Sequence, residues 1–354
     1  MCQRKNVFRI ISAILLILVL IPSFSGCAFF NPVKPEIREF FGYFDTFCKF
    51  RIDTKDRENL DEAAIRFEEL ISTYDKLFDI YESHDDTVTL YDVNENAGKD
   101  SVVIDERLFE ALEFGKEMHS LTNGACNIAM GSLISLWHEA REYANTPGNT
   151  AKLPDRDKLE EAMKHTDISS LVLDRKTLSV KITDPYASLD FGAIAKGYVA
   201  DIAAELLLDL GYENFLIDLG GNIVSKGKNH KNVYWSAMIE NPYEKESMGY
   251  KEIIELNDQT LVTSGSYQRF FTVNEKNYSH IIDNESGYPP EFYLSVSVLA
   301  PADSSGLADA LSTALFCMPL EEGKALVKTL DKVEVLWMTV DGQIEMSDGF
   351  GGSQ

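Results

Sequence analysis

The segment Asp190–Asp201 combines an acid, a glycine and a lysine at the start of a helix-like pattern. Gly192 permits a tight turn, and Lys196 then falls within the first two turns of the helix that follows. Because a helix N-terminus offers unpaired N–H groups and a partial positive charge, the added lysine charge predicts a site for phosphate. A surface lysine beside an aspartate that caps the helix is the structural alternative, and the segment alone leaves both open.

Asp309 and Thr313 are four residues apart in a second helical pattern, so their side-chain oxygens project from one face. A carboxylate and a hydroxyl in this arrangement can bind one small, hard cation. Mg²⁺ suits such a sparse set of ligands, because it keeps waters or substrate phosphates in its remaining positions. Without further evidence, the simpler interpretation is that Asp309 is an exposed acid on the helix and that the Thr313 hydroxyl faces the core.

Apolar residues at three- and four-residue steps predict the helices that position these groups. The predicted helices span approximately residues 60–78, 106–121, 193–210, 306–317 and 320–330. Short or alternating apolar runs predict strands over residues 170–174, 177–183, 214–219, 222–227, 233–239, 251–256, 260–264, 268–273, 277–282 and 292–299, with a closing hairpin over 333–346. Because helices and strands are partly segregated along the chain, the sequence predicts an α+β fold without a long internal linker.

The first residues predict where the protein is located. Basic residues precede the apolar run Ile10–Ile21, which has the length of a signal-peptide core, and small residues then precede Cys27, as in bacterial lipoprotein processing sites. We therefore expect a signal peptide over residues 1–26, a lipidated (palmitoylated) Cys27 with a tether over 27–38, and a folded domain over 39–354. The expected location is the extracytoplasmic face of the cell membrane. A plain secretory signal and an uncleaved anchor are the alternatives.

The chain is strongly acidic, with a net charge of −24. Removal of residues 1–26 takes away three basic and no acidic residues, which leaves 30 Lys and Arg against 57 Asp and Glu, a net of −27. Such a chain has no basic footprint for nucleic acid, and anionic headgroups would repel it, so we expect covalent membrane attachment. The later cysteines, Cys48, Cys126 and Cys317, match no zinc spacing, and their odd number argues against a disulfide framework.

Several blocks of the sequence, in order, resemble the ApbE family of FAD:protein FMN transferases; they are Thr122–Asn127, Asp190–Asp201, Leu219–Asn222, Thr263–Tyr267, Tyr278–Asp283 and Ala308–Ala314. The resemblance covers nearly the whole mature length and implies one large, T-fold-like domain with mixed and antiparallel sheets flanked by helices. It also implies transfer of the FMN half of FAD to a threonine or serine hydroxyl of another protein, with AMP released and Mg²⁺ required. The implied partners are FAD and an acceptor flavoprotein of an extracytoplasmic or membrane redox system.

The same resemblance implies roles for individual residues. Three ligands are implied for Mg²⁺: the backbone carbonyl of Ala193 and the side chains of Asp309 and Thr313. Lys196 is implied to contact the diphosphate of FAD. Asp190 is implied to contact the flavin or the ribityl chain.

Other residues are implied to lie against the flavin. For His280 the resemblance implies a contact to the flavin or phosphate and proton handling as the acceptor hydroxyl attacks, although a lone histidine in an apolar strand is more often structural. Ile281 is implied to act through its backbone. Phe44 and Tyr81 are aromatic candidates that fit the core equally well. The remaining implied flavin contacts are Ala125, Cys126 and Asn127.

Two departures from the family pattern keep other functions open. Asn127 stands where the family usually has an aspartate, which preserves flavin contact more readily than acid–base chemistry. Asn284 begins a segment that lacks the family's usual basic residue. The alternatives are a hydrolase that splits FAD into FMN and AMP with water, and a non-catalytic flavin-binding lipoprotein.

Overall fold

A computed structural model describes residues 33–54, 59–240 and 250–351 of the chain. The predicted signal peptide and Cys27 lie outside the described residues. The described residues from Pro35 onward belong to one compact unit. In the part of the chain that the structure describes, no helix is both long enough and apolar enough to cross a bilayer.

The strands of the described residues are numbered in chain order as β1 (Lys34–Tyr43), β2 (Thr46–Thr54), β3 (Val102–Val103), β4 (Leu171–Asp174), β5 (Ser179–Ile182), β6 (Phe215–Leu219), β7 (Asn222–Lys226), β8 (Trp235–Glu240), β9 (Tyr250–Leu256), β10 (Gln259–Gly265), β11 (Phe270–Val273), β12 (Lys276–Ser279), β13 (Tyr293–Pro301), β14 (Glu334–Thr339) and β15 (Ile344–Met346). The helices are α1 (Leu60–Leu77), α2 (Leu90–Glu95), α3 (Glu106–Leu121), α4 (Gly131–Asn145), α5 (Arg156–Ala162), α6 (Ala195–Asp209), α7 (Ser305–Cys317) and α8 (Leu320–Val327). A 3₁₀ turn over Ile128–Met130 leads into α4.

One large sheet organises these elements, with the described strands in the order β1-β2-β6-β7-β10-β13-β14-β15. Its ladders from β2 to β15 are antiparallel. Smaller antiparallel groups are formed by β3-β5-β4, by β8-β9 and by β11-β12. The chain therefore combines helices with antiparallel sheets, as the α+β prediction requires.

The middle of the large sheet is covered on both faces. Val296 and Val298 of β13 pack with Leu311 of α7, whereas Leu299 packs with Trp235 of β8. Because successive residues of a strand point to opposite faces, α7 covers one face and the β8–β9 hairpin covers the other. α6 lies beside α7, so the two predicted site helices are neighbours.

Most predicted elements are present with shifts of one to three residues at their ends, including the helices at α1, α3, α6, α7 and α8. Two predictions need correction. The predicted tether includes Lys34–Arg38, which form the start of β1. The strand predicted to reach Ile282 ends at Ser279, so His280 lies just beyond β12 rather than within a strand. The sequence patterns did not predict β1, β2, β3, α2, α4 or α5.

Candidate active site

The first turns of α6 and α7 meet at the residues predicted for phosphate and metal binding. Oδ2 of Asp309 accepts a hydrogen bond from the backbone N–H of Gly197 at 2.9 Å. Nζ of Lys196 lies 3.9 Å from the same oxygen. The close approach depends on glycine, because a Cβ at Gly197 would lie 2.3 Å from the carbonyl oxygen of Ser305. The structure therefore brings Lys196 and Asp309 together at a tightly packed helix pair.

Asp309 is a buried carboxylate, with only 4% of its surface exposed. Burial raises its pKa, and the nearby Lys196 charge and the Gly197 N–H oppose that shift. The amide of Asn222 also favours the carboxylate form, yet its buried Nδ2 makes no well-formed hydrogen bond within the described residues. A buried donor without a partner costs about 1–3 kcal/mol, which a polar ligand bound here would relieve.

Thr313 and Ala193 complete the predicted metal ligands. Thr313 lies one turn beyond Asp309 on α7, and its Oγ1 is 3.3 Å from Oγ of Ser264. A continuous helix would pair the N–H of Gly197 with the carbonyl of Ala193, but that N–H bonds Asp309 instead. The Ala193 carbonyl therefore does not accept a hydrogen bond from the Gly197 N–H. A carboxylate, a hydroxyl and a backbone carbonyl are hard oxygen ligands, and this donor set fits Mg²⁺.

Asp190 closes the turn that leads into α6. Its Oδ1 accepts the N–H of Gly192 at 2.6 Å, and its own N–H donates to the carbonyl of Ile128 at 2.8 Å. Burial raises the pKa of Asp190, while the Gly192 N–H and the charges of His138 and Lys196 lower it. Asp190 therefore forms the turn before α6 without capping the helix, whose N-cap is Ile194, and it lies within electrostatic range of Lys196.

His280 is held by one backbone carbonyl. Its Nδ1 lies 3.2 Å from the carbonyl oxygen of Arg269, and its backbone N–H donates to the same oxygen at 3.0 Å. Because a carbonyl can only accept, Nδ1 carries the proton and Nε2 is left as the acceptor. Burial and the charges of Arg269, Lys196 and Arg141 lower the pKa of His280 to about 4. The imidazole is therefore neutral near pH 7.

A cavity of about 550 Å³ lies beside His280, and its lining includes Arg269, whose carbonyl holds the imidazole. One face of α4 forms much of its wall, with polar residues at spacings of three and four. The ring of Tyr81 lies 5.8 Å from the ring of His138 across this wall. The lining residues are Asp45, Tyr81, His138, Arg141, Glu142, Asn145, Gln268, Arg269 and Phe270. The cavity thus offers two arginines, a histidine and exposed aromatic surface.

The β1–β2 turn forms another edge of the cavity. Phe44 and Asp45 both have positive φ angles, 51° and 50°, in the left-handed region. The N–H of Phe44 donates to Oδ1 of Asp75 at 2.7 Å, and Nη2 of Arg269 donates to the carbonyl of Asp45 at 2.9 Å. Phe44 packs against the main core, whereas Asp45 lines the cavity. Of the two predicted aromatic residues, the structure therefore places Tyr81 in the cavity wall and Phe44 against the core.

The block Ala125–Asn127 is held mainly by contacts within the protein. Oδ1 of Asn127 accepts the N–H of Ala129 at 2.9 Å, and its Nδ2 donates to the carbonyl of Thr166 at 2.8 Å. Cys126 is fully buried, and burial together with the charge of Asp309 raises its pKa to about 12. Ala125 packs partly buried against the core. Both ends of the Asn127 amide are therefore bonded to backbone groups.

Ile281, predicted to act through its backbone, is buried in the cluster that contains Leu311 of α7. The expected buried thiols are present, because Cys48, Cys126 and Cys317 are all buried and free.

Sequence reasoning missed the cavity residues on α4 and the arginine that holds the β1–β2 turn. His138, Arg141, Glu142 and Asn145 recur at helical spacing on a face of α4 that adjoins the buried Leu133 and Trp137. This periodicity was a usable signal for a polar helix face. Arg269 gave no such signal, since its contact with Asp45 joins residues far apart in the chain.

Comparisons with known proteins identify the family of this chain. The ApbE family model matches residues 44–337. A protein named FAD:protein FMN transferase from Treponema pallidum is 32% identical over 321 residues, which cover 86% of this chain and 84% of that protein. A second protein of that name, from Klebsiella pneumoniae, is 30% identical over 289 residues, with coverage of 81% and 85%.

Solved structures confirm the predicted fold. The crystal structure of the ApbE protein from Thermotoga maritima aligns with a TM-score of 0.78 at 25% identity, covering 90% of this chain and 98% of that one. The flavin transferase ApbE from Vibrio cholerae aligns with a TM-score of 0.74 at 24% identity, covering 90% and 99%.

Proposed function

This chain belongs to the ApbE family, and we propose that it is an Mg²⁺-dependent FAD:protein FMN transferase. In this proposal it moves FMN from FAD to a threonine or serine hydroxyl of an acceptor protein and releases AMP. The observation that carries the proposal is the meeting of Lys196, the Gly197 N–H and buried Asp309 at one point. Such a cationic helix start beside a hard-ligand carboxylate suits a diphosphate better than a neutral ligand.

The residues that would hold Mg²⁺ are Asp309, Thr313 and the carbonyl of Ala193. When bound, the ion supplies positive charge that neutralises the diphosphate of FAD. Lys196 adds a fixed charge on the same side, because its Nζ is already oriented toward the Asp309 carboxylate. This arrangement favours the charge that develops as the phosphorus–oxygen bond to AMP breaks.

In this proposal, His280 receives the proton of the acceptor hydroxyl. The hydroxyl oxygen forms a bond to the phosphorus on the riboflavin side, and the bond from that phosphorus to the bridging oxygen breaks. AMP leaves with the bridging oxygen, and the hydroxyl proton goes to the free Nε2 of His280. The bond from Nδ1 to the Arg269 carbonyl fixes the tautomer that this transfer needs.

The cavity beside His280 has the size and lining for part of FAD. Its volume of about 550 Å³ falls in the range of small-molecule sites, roughly 300–1,000 Å³. Tyr81 offers an aromatic face for the isoalloxazine ring, and Arg141 and Arg269 offer positive charge for phosphate. The charges of Arg141 and Lys196 both lower the pKa of His280, and in this proposal one extended ligand spans the cavity and the helix pair.

The test incubates the protein with FAD, Mg²⁺ and membrane proteins of the cells that make it. Flavin bound covalently to an acceptor is detected by fluorescence in a denaturing gel, and the mass of the FMN adduct is measured. We expect adduct formation to fail with Asp309→Ala and to persist with Glu321→Ala, which removes an exposed acid from α8. Release of FMN and AMP without an adduct would favour the hydrolase, and bound, intact FAD would favour the carrier.

We also propose that the mature chain is lipid-anchored through Cys27 at the extracytoplasmic face of the cell membrane, where an acceptor flavoprotein of a redox system is flavinylated. The basic n-region, the apolar run and the small residues before Cys27 support this location. Mass spectrometry of the purified protein is expected to show acyl chains on an N-terminal Cys27. Cys27→Ser should lose these chains and the membrane attachment, whereas Cys2→Ser, within the removed segment, should keep both. A mature N-terminus elsewhere would contradict the anchor.

A further inference from the structure

Helices α6 and α7 are joined by two aspartates, each of which binds the N-terminal turn of the other helix. Asp201 of α6 accepts the backbone N–H groups of Ser305 and Gly306 at 2.7 and 2.8 Å. In the opposite direction, Asp309 of α7 accepts the N–H of Gly197 at 2.9 Å. Each aspartate therefore satisfies donors that a helix start leaves unpaired.

The contact between the helices leaves no room for an adjustment. A Cβ at Gly197 would lie 2.6 Å from Cβ of Asp309, and a Cβ at Gly306 would lie 3.2 Å from Cα of Tyr198. A carboxylate that accepts hydrogen bonds from two N–H groups in such a tightly packed contact binds them more strongly than a neutral acceptor would. The position of the first turn of α7 relative to α6 is thus fixed by Asp201.

The first turn of α7 determines where the predicted metal ligands lie. Asp309 is one helical turn beyond Ser305, and Thr313 is one turn further on the same face. The carbonyl of Ala193 lies just before α6, and α6 is the helix that carries Asp201. The distance between the two parts of the ligand set therefore depends on how the two helices are joined.

We propose that Asp201 is a positioning residue of the metal site, which holds Asp309 and Thr313 in register with the Ala193 carbonyl. This inference rests on the proposed Mg²⁺-dependent function. Asp201 itself touches neither the metal ligands nor the cavity, so its effect passes through the start of α7. Outer groups that orient metal ligands typically change metal affinity by about 10- to 100-fold.

The alternative is that Asp201 is only a helix cap that adds to overall stability. Asp155 provides a matched control, because its Oδ1 accepts the N–H groups of Asp157 and Lys158 at 3.0 and 3.2 Å at the start of α5. Loss of either cap should lower stability by a similar mechanism. Only the loss of Asp201 should change metal affinity.

The experiment measures binding of Mn²⁺, a paramagnetic probe for Mg²⁺ sites, to the full chain by electron paramagnetic resonance at pH 8 without FAD. We expect the Kd for Mn²⁺ to rise about 10- to 100-fold in Asp201→Ala and by a smaller factor in Asp201→Asn, which keeps one acceptor oxygen. Asp155→Ala, which removes the cap of α5, should bind as the wild type does, despite a lower melting temperature. Near-ultraviolet circular dichroism checks that each variant is folded.

The outcomes separate this inference from the proposed function. Folded Asp201 variants with the wild-type Kd would overturn the inference while leaving the metal site intact. If Asp201→Ala does not fold, Asp201→Asn decides the question in the same way. A wild-type chain without saturable Mn²⁺ binding, or binding that survives Asp309→Ala, would instead overturn the metal site on which the inference depends.

Discussion

Replacement of Gly197 by alanine tests the helix contact on which the proposed active site depends. The added methyl group would meet the Ser305 carbonyl oxygen at 2.3 Å and Cβ of Asp309 at 2.6 Å. Normal contacts between such atoms are longer by roughly 1 Å, so α6 and α7 must separate. That separation stretches the bond from the Gly197 N–H to Asp309, and it moves Asp309 away from Lys196.

The magnitude follows from three opposing effects. Alanine in a helix gains about 1 kcal/mol over glycine. Overpacking of a tight contact costs about 1–3 kcal/mol, and a weakened hydrogen bond to a charged group costs about 1.5–3 kcal/mol. The free energy of unfolding should therefore fall by about 1.5–5 kcal/mol, which for a domain of this size corresponds to a melting temperature lower by roughly 2–7 °C.

Gly323→Ala is the matched control, because Gly323 also lies within a helix, α8. Its added methyl group would meet Cδ2 of Leu315 at 3.2 Å, and that flexible side chain can move aside. Melting temperature and flavin transfer are measured for both variants. Gly323→Ala should stay within about 1 kcal/mol of the wild type, whereas Gly197→Ala should lose stability and most activity. A Gly197→Ala protein as stable and active as the control would refute the tight-contact reasoning.

Three further predictions concern side chains around the site. The folded-state pKa of His280, about 4, is below its unfolded value near 6.5, so stability should fall by up to about 3 kcal/mol as pH drops from 6.5 to 4. Urea unfolding should show a smaller dependence of stability on pH in His280→Gln. An equal dependence in the two proteins would contradict the neutral imidazole. The folded-state pKa of Asp201, about 7, is above its unfolded value of 3.8, so its contribution to stability should decline as pH rises from 4 to 7, and Asp201→Asn should lack this decline in the same assay. Asn127→Asp loses the hydrogen-bond donor to the Thr166 carbonyl and should be destabilised by about 1–3 kcal/mol, with unchanged flavin transfer per folded molecule. A large change in flavin transfer at full stability would indicate that Asn127 has a direct role in the reaction.

The helix pair could be predicted from the sequence because its signals are local. The apolar spacing of α7 already places Asp309 and Thr313 on one face, and the glycine turn before α6 already marks a helix start near Lys196. Both features depend on residues within a few positions of each other. Their meeting could not be worked out from spacing alone, since the bond from Gly197 to Asp309 joins distant segments. The family resemblance supplied that step.

The cavity wall and the strand beside it were harder to predict, for physical reasons. β1 carries charged residues and lies at the edge of the sheet, and Phe40 is its one buried residue, so its apolar pattern is weak. The turn at Phe44 and Asp45 uses left-handed backbone angles without glycine or asparagine, which removes the usual hairpin signal. α4 begins at Gly131, directly after a 3₁₀ turn, and so lacks a standard capping sequence.

The environment of Asn127 bears on the choice between an enzyme and a flavin carrier. The departures at Asn127 and Asn284 were the sequence arguments for a carrier, but the Asn127 amide is bonded to Ala129 and Thr166. Its identity therefore follows from local backbone bonding rather than from chemistry at the ligand. Asp309, by contrast, is a buried carboxylate whose pKa is raised by burial, although Lys196 and the amide of Asn222 favour its ionised form. A carrier that only stacks flavin has no use for this unfavourable arrangement, whereas an enzyme that binds a metal and a diphosphate relieves it with each substrate.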